Sequence, residues 1–209
     1  MKTIRAQIIG VALITIGLVS FVQAAGIGKV IVSVGQVEAL DSNGAKRDLK
    51  RRSAIFATDT VATFSGSKTQ LRFTDGSMVS LAENSLFKIE EYQLGGDDEK
   101  AVYNLLKGGL QTITGAIGHT NKQDYTLKTP VATIGIRGTF YQIYVTADGG
   151  LVGFVKEGGI VVENSNGDTV SIQPGEYFSM DSATGDVTIT DAPPEAFKKA
   201  EEENASEEK

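Results

Sequence analysis

The chain has 209 residues with 26 acidic and 20 basic side chains, a formal charge of −6, one histidine and no cysteine. The absence of cysteine excludes disulfides, thiolate zinc sites, iron–sulfur clusters and cysteine nucleophiles, and a single histidine excludes a multi-histidine metal site. The acidic balance argues against a general nucleic-acid-binding protein, which needs a basic face to displace counterions.

The N-terminus has the features of an export signal. Lys2 and Arg5 precede the uncharged run 8–22, and small or β-branched residues stand before a cleavage point after Ala24. A basic start, a short apolar run and a small-residue exit are typical of a secretory signal peptide. We therefore predict a signal peptide over 1–24, with a periplasmic or secreted product. The alternative is an uncleaved anchor, the only case in which we expect membrane attachment, although the run is shorter than the about 20 apolar residues of a spanning helix.

Short β-strands are predicted from residue 25 to about residue 190, because apolar residues recur there with a period of two. Segments 31–34 and 140–145 are apolar on both faces, which suggests burial between layers. Glycine-containing turn pairs separate the strands, as tight reversals require. The predicted fold class is all-β, either irregular and β-solenoid-like or a two-layer β architecture. Its short strands are of antiparallel type, and a short C-terminal helix or tail follows them.

The composition changes at Pro193-Pro194, after which the chain is rich in glutamate and lysine. Proline in the first turn with glutamate behind it favours a helix start, and Phe197 and Ala200 could dock such a helix on the body. We therefore predict three parts, namely a signal peptide (1–24), a β domain (25–190) and an acidic C-terminal helix or disordered tail (191–209).

No catalytic constellation stands out in the sequence. A glycosidase needs a positioned pair of carboxylates, and general-base catalysis by His119 needs a nucleophile and an orienting acid nearby. We therefore expect no enzymatic activity, no cofactor and no metal. The alternative is an enzyme acting on cell-wall or extracellular polymers. It requires that two or more acids cluster in one groove with His119 or a tyrosine, and it loses its basis if Glu90, Glu91, Glu157 and Asp168 are scattered.

Arg137 lies between Ile136 and Gly138 in an otherwise apolar strand pattern. Breaking a buried ion pair costs about 3–5 kcal/mol, so we expect this guanidinium to be paired with a carboxylate or with carbonyl groups. Asp75 and Glu157 are the candidate partners. The main interpretation is an internal clamp, and the alternative is a grip for the carboxylate of a ligand.

The segment around Arg137 resembles the FecR domain family, which has a Thr-Pro…Val-Arg-Gly-Thr-aromatic signature. Thr129-Pro130 and residues 136–140 match that signature, and further motifs of the family follow in order over about 29–180. The residues that carry the resemblance as a structural signature are Asp75, Gly76, Thr129, Pro130, Gly135, Arg137, Gly138, Thr139, Phe140, Glu157 and Gly158.

The resemblance implies an all-β, solenoid-like periplasmic module, and it gives no catalytic residues to carry over to this sequence. In the regulators of this family, the domain lies outside the inner membrane and communicates with an outer-membrane receptor, and a cytoplasmic anti-sigma segment precedes a membrane helix. Only Met1–Arg5 precedes the apolar run here, so we expect a freestanding domain without that segment.

The function predicted from these observations is that of an exported, non-enzymatic binding and signalling module. We expect a protein partner in the periplasm or outer membrane and no nucleic acid. Strand addition at a sheet edge is the expected mode of contact, because it uses main-chain hydrogen bonds. A structural subunit of the envelope or of a fibre is the other non-enzymatic alternative.

Overall fold

The structure is a computed structural model that describes residues 25–96, 98–120, 124–136 and 138–205, without the side chains of 119, 120, 204 and 205. The predicted signal peptide (1–24) and Arg137 therefore lie outside the described residues. The described elements are β1 (Gly28–Val34), β2 (Val37–Leu40), β3 (Lys46–Asp48), β4 (Ala54–Ile55), β5 (Thr60–Thr63), β6 (Lys68–Phe73), β7 (Met78–Leu81), β8 (Leu86–Gln93), β9 (Lys100–Lys107), β10 (Gly109–Ile113), α1 (Ala116–Thr120), β11 (Tyr125–Lys128), β12 (Ala132–Ile136), β13 (Phe140–Val145), β14 (Leu151–Glu157), β15 (Ile160–Asn164), β16 (Thr169–Ile172), β17 (Tyr177–Met180), β18 (Val187–Thr190) and α2 (Glu195–Ala205).

The strands form two nine-stranded sheets, which confirms the all-β prediction in its two-layer form, together with the short C-terminal helix. The first sheet has the order β18-β17-β14-β13-β10-β7-β6-β1-β4, and the second has the order β16-β15-β12-β11-β9-β8-β5-β2-β3. Every pairing among the described strands is antiparallel apart from that of β9 with β11. The chain crosses between the sheets after every one or two strands. Strands that are early in the sequence therefore lie at one end of both sheets, and late strands lie at the other end.

The hydrophobic core lies between the two sheets, because alternate residues of each strand point into that space. In β6, Leu71 and Phe73 are buried while Arg72 between them is exposed. The ring of Phe73 lies 5.4 Å from that of Tyr103 on the second sheet, and Tyr103 lies 5.3 Å from Tyr125. Aromatic contacts therefore join the two layers at the centre of the molecule.

The prediction that 31–34 is buried on both faces is wrong. Val32 and Val34 are 41% and 44% exposed. The register of β1 against β6 shifts between Val30 and Val32, which marks a bulge that re-aims the following side chains. These two valines therefore lie on the outer face of the first sheet.

Helix α2 covers part of that outer face. Phe197 is 1% exposed, and its ring lies 5.6 Å from that of Tyr144 in an edge-on contact. In β13, Tyr141 and Ile143 enter the core while Tyr144 is half-buried on the outer face. The two-faced burial predicted for 140–145 is therefore correct only in part. Neither described helix has the length and apolarity needed to cross a membrane.

Candidate functional site

Four loops between strands lie together at one end of the two sheets, and they contain several of the signature residues. We call this region the signature end and define it by four segments, which are 75–77 after β6, 114–116 after β10, 138–139 after β12 and 158–159 after β14. It contains Asp75, Gly76, Gly138, Thr139 and Gly158 of the predicted structural signature.

Thr139 is the central hydrogen-bonding residue of the signature end. Its amide donates to Thr114 Oγ1 at 2.8 Å, and its hydroxyl donates to the carbonyl of Gly159 at 2.8 Å. The amide of Ala116 donates to the carbonyl of Asp75 at 2.9 Å. These bonds join all four segments of the signature end. The segments are far apart in sequence, so these polar contacts were not predictable from a sequence pattern.

Asp75 is buried at this end with hydrogen bonds to one of its two carboxylate oxygens. Oδ1 accepts from the amide of Ser77 at 3.0 Å and from its hydroxyl at 2.6 Å. Oδ2 is buried and has no hydrogen-bond partner among the described residues. A Cβ placed at Gly115 would lie 2.7 Å from Oδ2, so glycine is needed for this close approach. A buried carboxylate oxygen without a donor is costly, and a hydrogen bond from a guanidinium would remove that cost.

Of the two carboxylates expected to pair with Arg137, only Asp75 is buried, since Glu157 is exposed at the end of β14. The amide of the neighbouring Gly138 donates to the carbonyl of Gly118 in α1 at 3.2 Å. Arg137 itself is outside the described residues, so the clamp stays a prediction, with Asp75 as the better partner.

Thr129, Pro130 and Gly135 lie apart from the signature end. Thr129 and Pro130 form the turn between β11 and β12, where the Thr129 hydroxyl and amide each donate to the carbonyl of Ala132 at 2.9 Å. Gly135 lies within β12, facing away from the core, and a Cβ there would come no closer than 3.9 Å to the carbonyl of Val161. Residues that belong to one sequence signature are therefore found in different places in the fold.

Three tyrosines are fully buried between the sheets. Tyr103, Tyr125 and Tyr141 are each at most 1% exposed. Burial raises the pKa of all three hydroxyls, and the negative charge of Asp75 raises that of Tyr103 further. These hydroxyls stay neutral at physiological pH and have no access to a substrate from solvent.

The four candidate catalytic acids are divided among two strands and one turn. Glu90 and Glu91 of β8 form salt bridges with lysines of β11 and β9, and the hydrogen bond from the β11 lysine lowers the pKa of Glu90. Glu157 ends β14, and Asp168 lies in the turn between β15 and β16. The side chain of His119 lies outside the described residues. Within the described part of the chain, no group of three or more histidine, cysteine or acidic residues could hold a metal ion.

The outermost strands of the sheets differ in composition. At one edge, β3 has the charged sequence Lys46-Arg47-Asp48, and β4 is only two residues long. At the other edge lie β16 (Thr-Val-Ser-Ile) and β18 (Val-Thr-Ile-Thr), which we call the C-terminal edge strands. Charge and shortness protect an edge from pairing with another chain, and the C-terminal edge strands have no charge.

The core is left open beside β18. Ile189 lies directly opposite Phe178, which is fully buried, and opposed residues of antiparallel strands point to the same face. Ile189 nevertheless stays 39% exposed, because β18 is the last strand of the first sheet. This edge was not identifiable from the sequence. Segments 169–172 and 187–190 have no charge, but inner strands such as β5 and β10 have none either, and only the order of strands in the sheets distinguishes them.

Residues 59–161 match the family described as FecR protein. Two crystal structures of a candidate anti-sigma factor from Parabacteroides distasonis ATCC 8503, at 2.50 and 1.65 Å resolution, are similar to this chain with a TM-score of 0.51 and 14% identity. The likeness covers 66% of this chain and 60% of the other, so this chain spans less than two thirds of their length. At this identity the likeness establishes the fold alone. No curated protein matches this chain.

Proposed function

We propose that this chain, which carries a FecR domain over residues 59–161, is an exported, non-enzymatic signalling module that contacts a partner protein in the cell envelope. The description of the similar structures as a candidate anti-sigma factor supports a regulatory role. The predicted signal peptide over 1–24 would bring the domain to the compartment that the FecR resemblance implies.

The observation that carries this proposal is the open edge at β16 and β18. Strand addition to such an edge forms main-chain hydrogen bonds with the partner, and the side chains next to the edge decide specificity. Thr169 and Ser171 of β16 are exposed, and Ile189 of β18 offers apolar surface that a further strand would cover. The partner segment is therefore an extended one with an aliphatic residue facing Ile189.

The edge strand β3, at the other end of the second sheet, is unsuited to strand addition because it is charged. Lys46 and Asp48 are exposed on β3, and Arg47 pairs with the buried Asp59 and lies 5.0 Å from the ring of Phe56. An incoming strand at β3 would have to pass this charged row. The partner is therefore expected at the C-terminal edge strands only.

A non-catalytic role agrees with the arrangement of the polar groups. The acids considered for catalysis are divided among β8, β14 and the turn between β15 and β16, and those of β8 are already paired with lysines. The buried tyrosines have raised pKa values and no route to a substrate. Protein contact explains the open edge without requiring a reactive group.

The test compares edge variants with matched variants of inner strands. Ile189→Lys and Ser171→Lys place a charge on the C-terminal edge strands. Val161→Lys and Thr133→Lys make the same change at exposed positions of β15 and β12, which have neighbours on both sides. The full chain carrying each change is cross-linked in the native envelope, captured and analysed by mass spectrometry.

We expect one protein partner to be recovered with the unmodified chain and both control variants. Its recovery should fall at least tenfold with the variant of the edge strand that it pairs with, which is Ile189→Lys for addition to β18 and Ser171→Lys for addition to β16. Equal recovery with all four variants, or no partner above background at several salt concentrations, would overturn the proposal. Sedimentation of the purified chain tests whether the chain associates with itself. Association that grows with concentration and is lost in Ile189→Lys would show that the partner is another copy, as in an envelope layer or fibre.

A further inference from the structure

One row of side chains on the outer face of the first sheet combines positive charge with apolar surface. Its members lie opposite one another on neighbouring strands, from β1 through β6, β7 and β10 to β13, and the row ends in a contact with β14. We call it the cationic row and define it as Lys29, Arg72, Met78, Ile113, Phe140 and Lys156. Opposed residues of paired strands share a face, so the row forms one continuous strip.

The two cations at the β1 end of the row repel each other. Lys29 and Arg72 are directly opposed and exposed, and neither forms a salt bridge with any residue that the structure describes. Like charges at directly opposed positions of a sheet are destabilising. By contrast, the exposed lysines of β9 and β11 pair with Glu91 and Glu90. The Lys29 and Arg72 pair is therefore suited to bind a carboxylate from outside the domain.

Apolar side chains form the middle of the row. Ile113 is 40% exposed, and Met78 and Phe140 on either side of it are half-buried. The Nζ atom of Lys156 lies 4.7 Å from the centre of the Phe140 ring, a cation–π contact that holds a third cation at the other end. From Lys29 on β1 to Lys156 on β14 there are five strand spacings, or about 24 Å at roughly 4.8 Å each. The row therefore has positive charge at both ends and apolar surface between them.

Helix α2 restricts the shape of what can reach the row. It packs on the same outer face through Phe197, and Glu201 and Glu202 are exposed on it. A helix with its side chains is about 10 Å thick. A flat anionic surface such as a bilayer would therefore meet acidic side chains of α2 before it met the row. A polypeptide segment is narrow enough to lie beside the helix, and it spans the row with about seven residues if extended or about 16 if helical.

We propose that the cationic row binds an acidic segment of a partner protein by charge complementarity. The segment has a carboxylate at each end and an aliphatic or aromatic residue between them. One carboxylate pairs with Lys29 and Arg72, the other pairs with Lys156, and the apolar residue covers Ile113. The row is separate from the C-terminal edge strands, so this proposal does not depend on the proposed function.

The test selects peptides on the purified full chain. The library displays random peptides of about 16 residues, which are long enough to span the row even as a helix. Peptides that also bind the full chain with Arg72→Glu are removed, and those that stay enriched are synthesised for measurement by fluorescence anisotropy. Lys29→Glu and Ile113→Ser then change the row. The matched controls Lys107→Glu and Val161→Ser make the same changes at exposed positions of the second sheet.

We expect the enriched peptides to be acidic, with an aliphatic or aromatic residue between the acids. Their dissociation constants should rise about tenfold or more with Lys29→Glu and about threefold or more with Ile113→Ser, and neither control should change them. Added salt should weaken the binding, because the contact involves exposed charges. No enrichment, enriched peptides without acids, or affinities that the row variants change no more than the controls do would overturn the proposal.

Two further measurements separate a binding role from a structural one and a protein segment from a lipid surface. Lys29→Gln removes the repulsion with Arg72, so the urea midpoint should not fall while the affinity for the enriched peptides does. A midpoint that falls together with the affinity would assign the row to the fold and refute the proposal. The unmodified chain should also stay in the supernatant with vesicles of phosphatidylglycerol and of phosphatidylcholine. Sedimentation with phosphatidylglycerol vesicles alone, abolished by Arg72→Glu, would refute it in favour of an anionic membrane.

Discussion

Removal of the Asp75 carboxylate is the most direct test of the clamp expected for Arg137. The carboxylate is buried, Ser77 donates two hydrogen bonds to Oδ1, and Oδ2 has no donor among the described residues. When the guanidinium of Arg137 supplies that donor, Asp75→Ala and Arg137→Ala each leave one buried charge unpaired. Breaking such a pair from one side costs about 3–5 kcal/mol.

The two single substitutions should differ in a definite way. Asp75→Ala also removes the acceptor of the two Ser77 bonds, and hydrogen bonds to a charged group contribute about 1.5–3 kcal/mol each. It should therefore lower the free energy of unfolding by at least as much as Arg137→Ala. For a chain of this size, about 3–5 kcal/mol corresponds to a fall in Tm of roughly 6–20 °C. In the double variant no charge stays unpaired, so the loss should fall short of the sum by about 2 kcal/mol.

Urea unfolding followed by circular dichroism of the four proteins measures this coupling directly. The control is the same cycle with Glu157→Ala in place of Asp75→Ala. Because Glu157 is exposed, its coupling to Arg137 should stay below about 1 kcal/mol. Additive effects of Asp75→Ala and Arg137→Ala, or an Arg137→Ala protein of unchanged stability, would refute the clamp and favour a surface role in ligand binding.

Three further expectations concern the signature end, the helix and the N-terminus. Thr139→Val removes a buried hydroxyl that donates to a carbonyl of the β14–β15 turn, so urea unfolding should show a loss of roughly 1–3 kcal/mol, whereas Thr139→Ser should keep most of the stability. Burial, and secondarily the charge of Glu201, raise the pKa of Tyr144 to about 12. The folded form favours the neutral hydroxyl, so this contribution to the free energy of unfolding is complete below pH 10 and is lost between pH 10 and about pH 12. Because Phe197 covers Tyr144, absorbance titration of Phe197→Ala should show Tyr144 ionising nearer pH 10. Intact-mass measurement of the exported protein should give a chain that starts at Ala25, and a membrane-bound product that keeps 1–24 would contradict the predicted cleavage.

The positions of the turns were predictable because they depend on a few neighbouring residues. Asp75-Gly76 and Gly158-Gly159 adopt the positive φ that such pairs favour, with φ of +88° at Gly76 and +79° at Gly158. The alternation in β6 also follows from local sequence, since one face of that strand packs on the core. The all-β class results from the sum of such local preferences.

The burial of β1 was not predictable in the same way. Its apolar residues would suit a strand covered on both sides, yet Val32 and Val34 are largely exposed. The cause is a shift of register against β6, and register depends on the pairing of residues far apart in sequence. The residues under α2 were missed for the same reason, because Tyr144 and Phe197 meet only after both the strand and the helix are in place.

The open edge shows the limit of sequence reasoning most directly. Val161 and Ile189 are both β-branched residues in short strands, and they are 42% and 39% exposed. Val161 faces away from the core on a strand with neighbours on both sides, whereas Ile189 faces the same side as the buried Phe178 on a strand with only one neighbour. Equal exposure therefore has different causes, and only the order of strands in the sheet separates them. For that reason a lysine at Val161 should change the surface alone, while a lysine at Ile189 should abolish the contact with the partner strand.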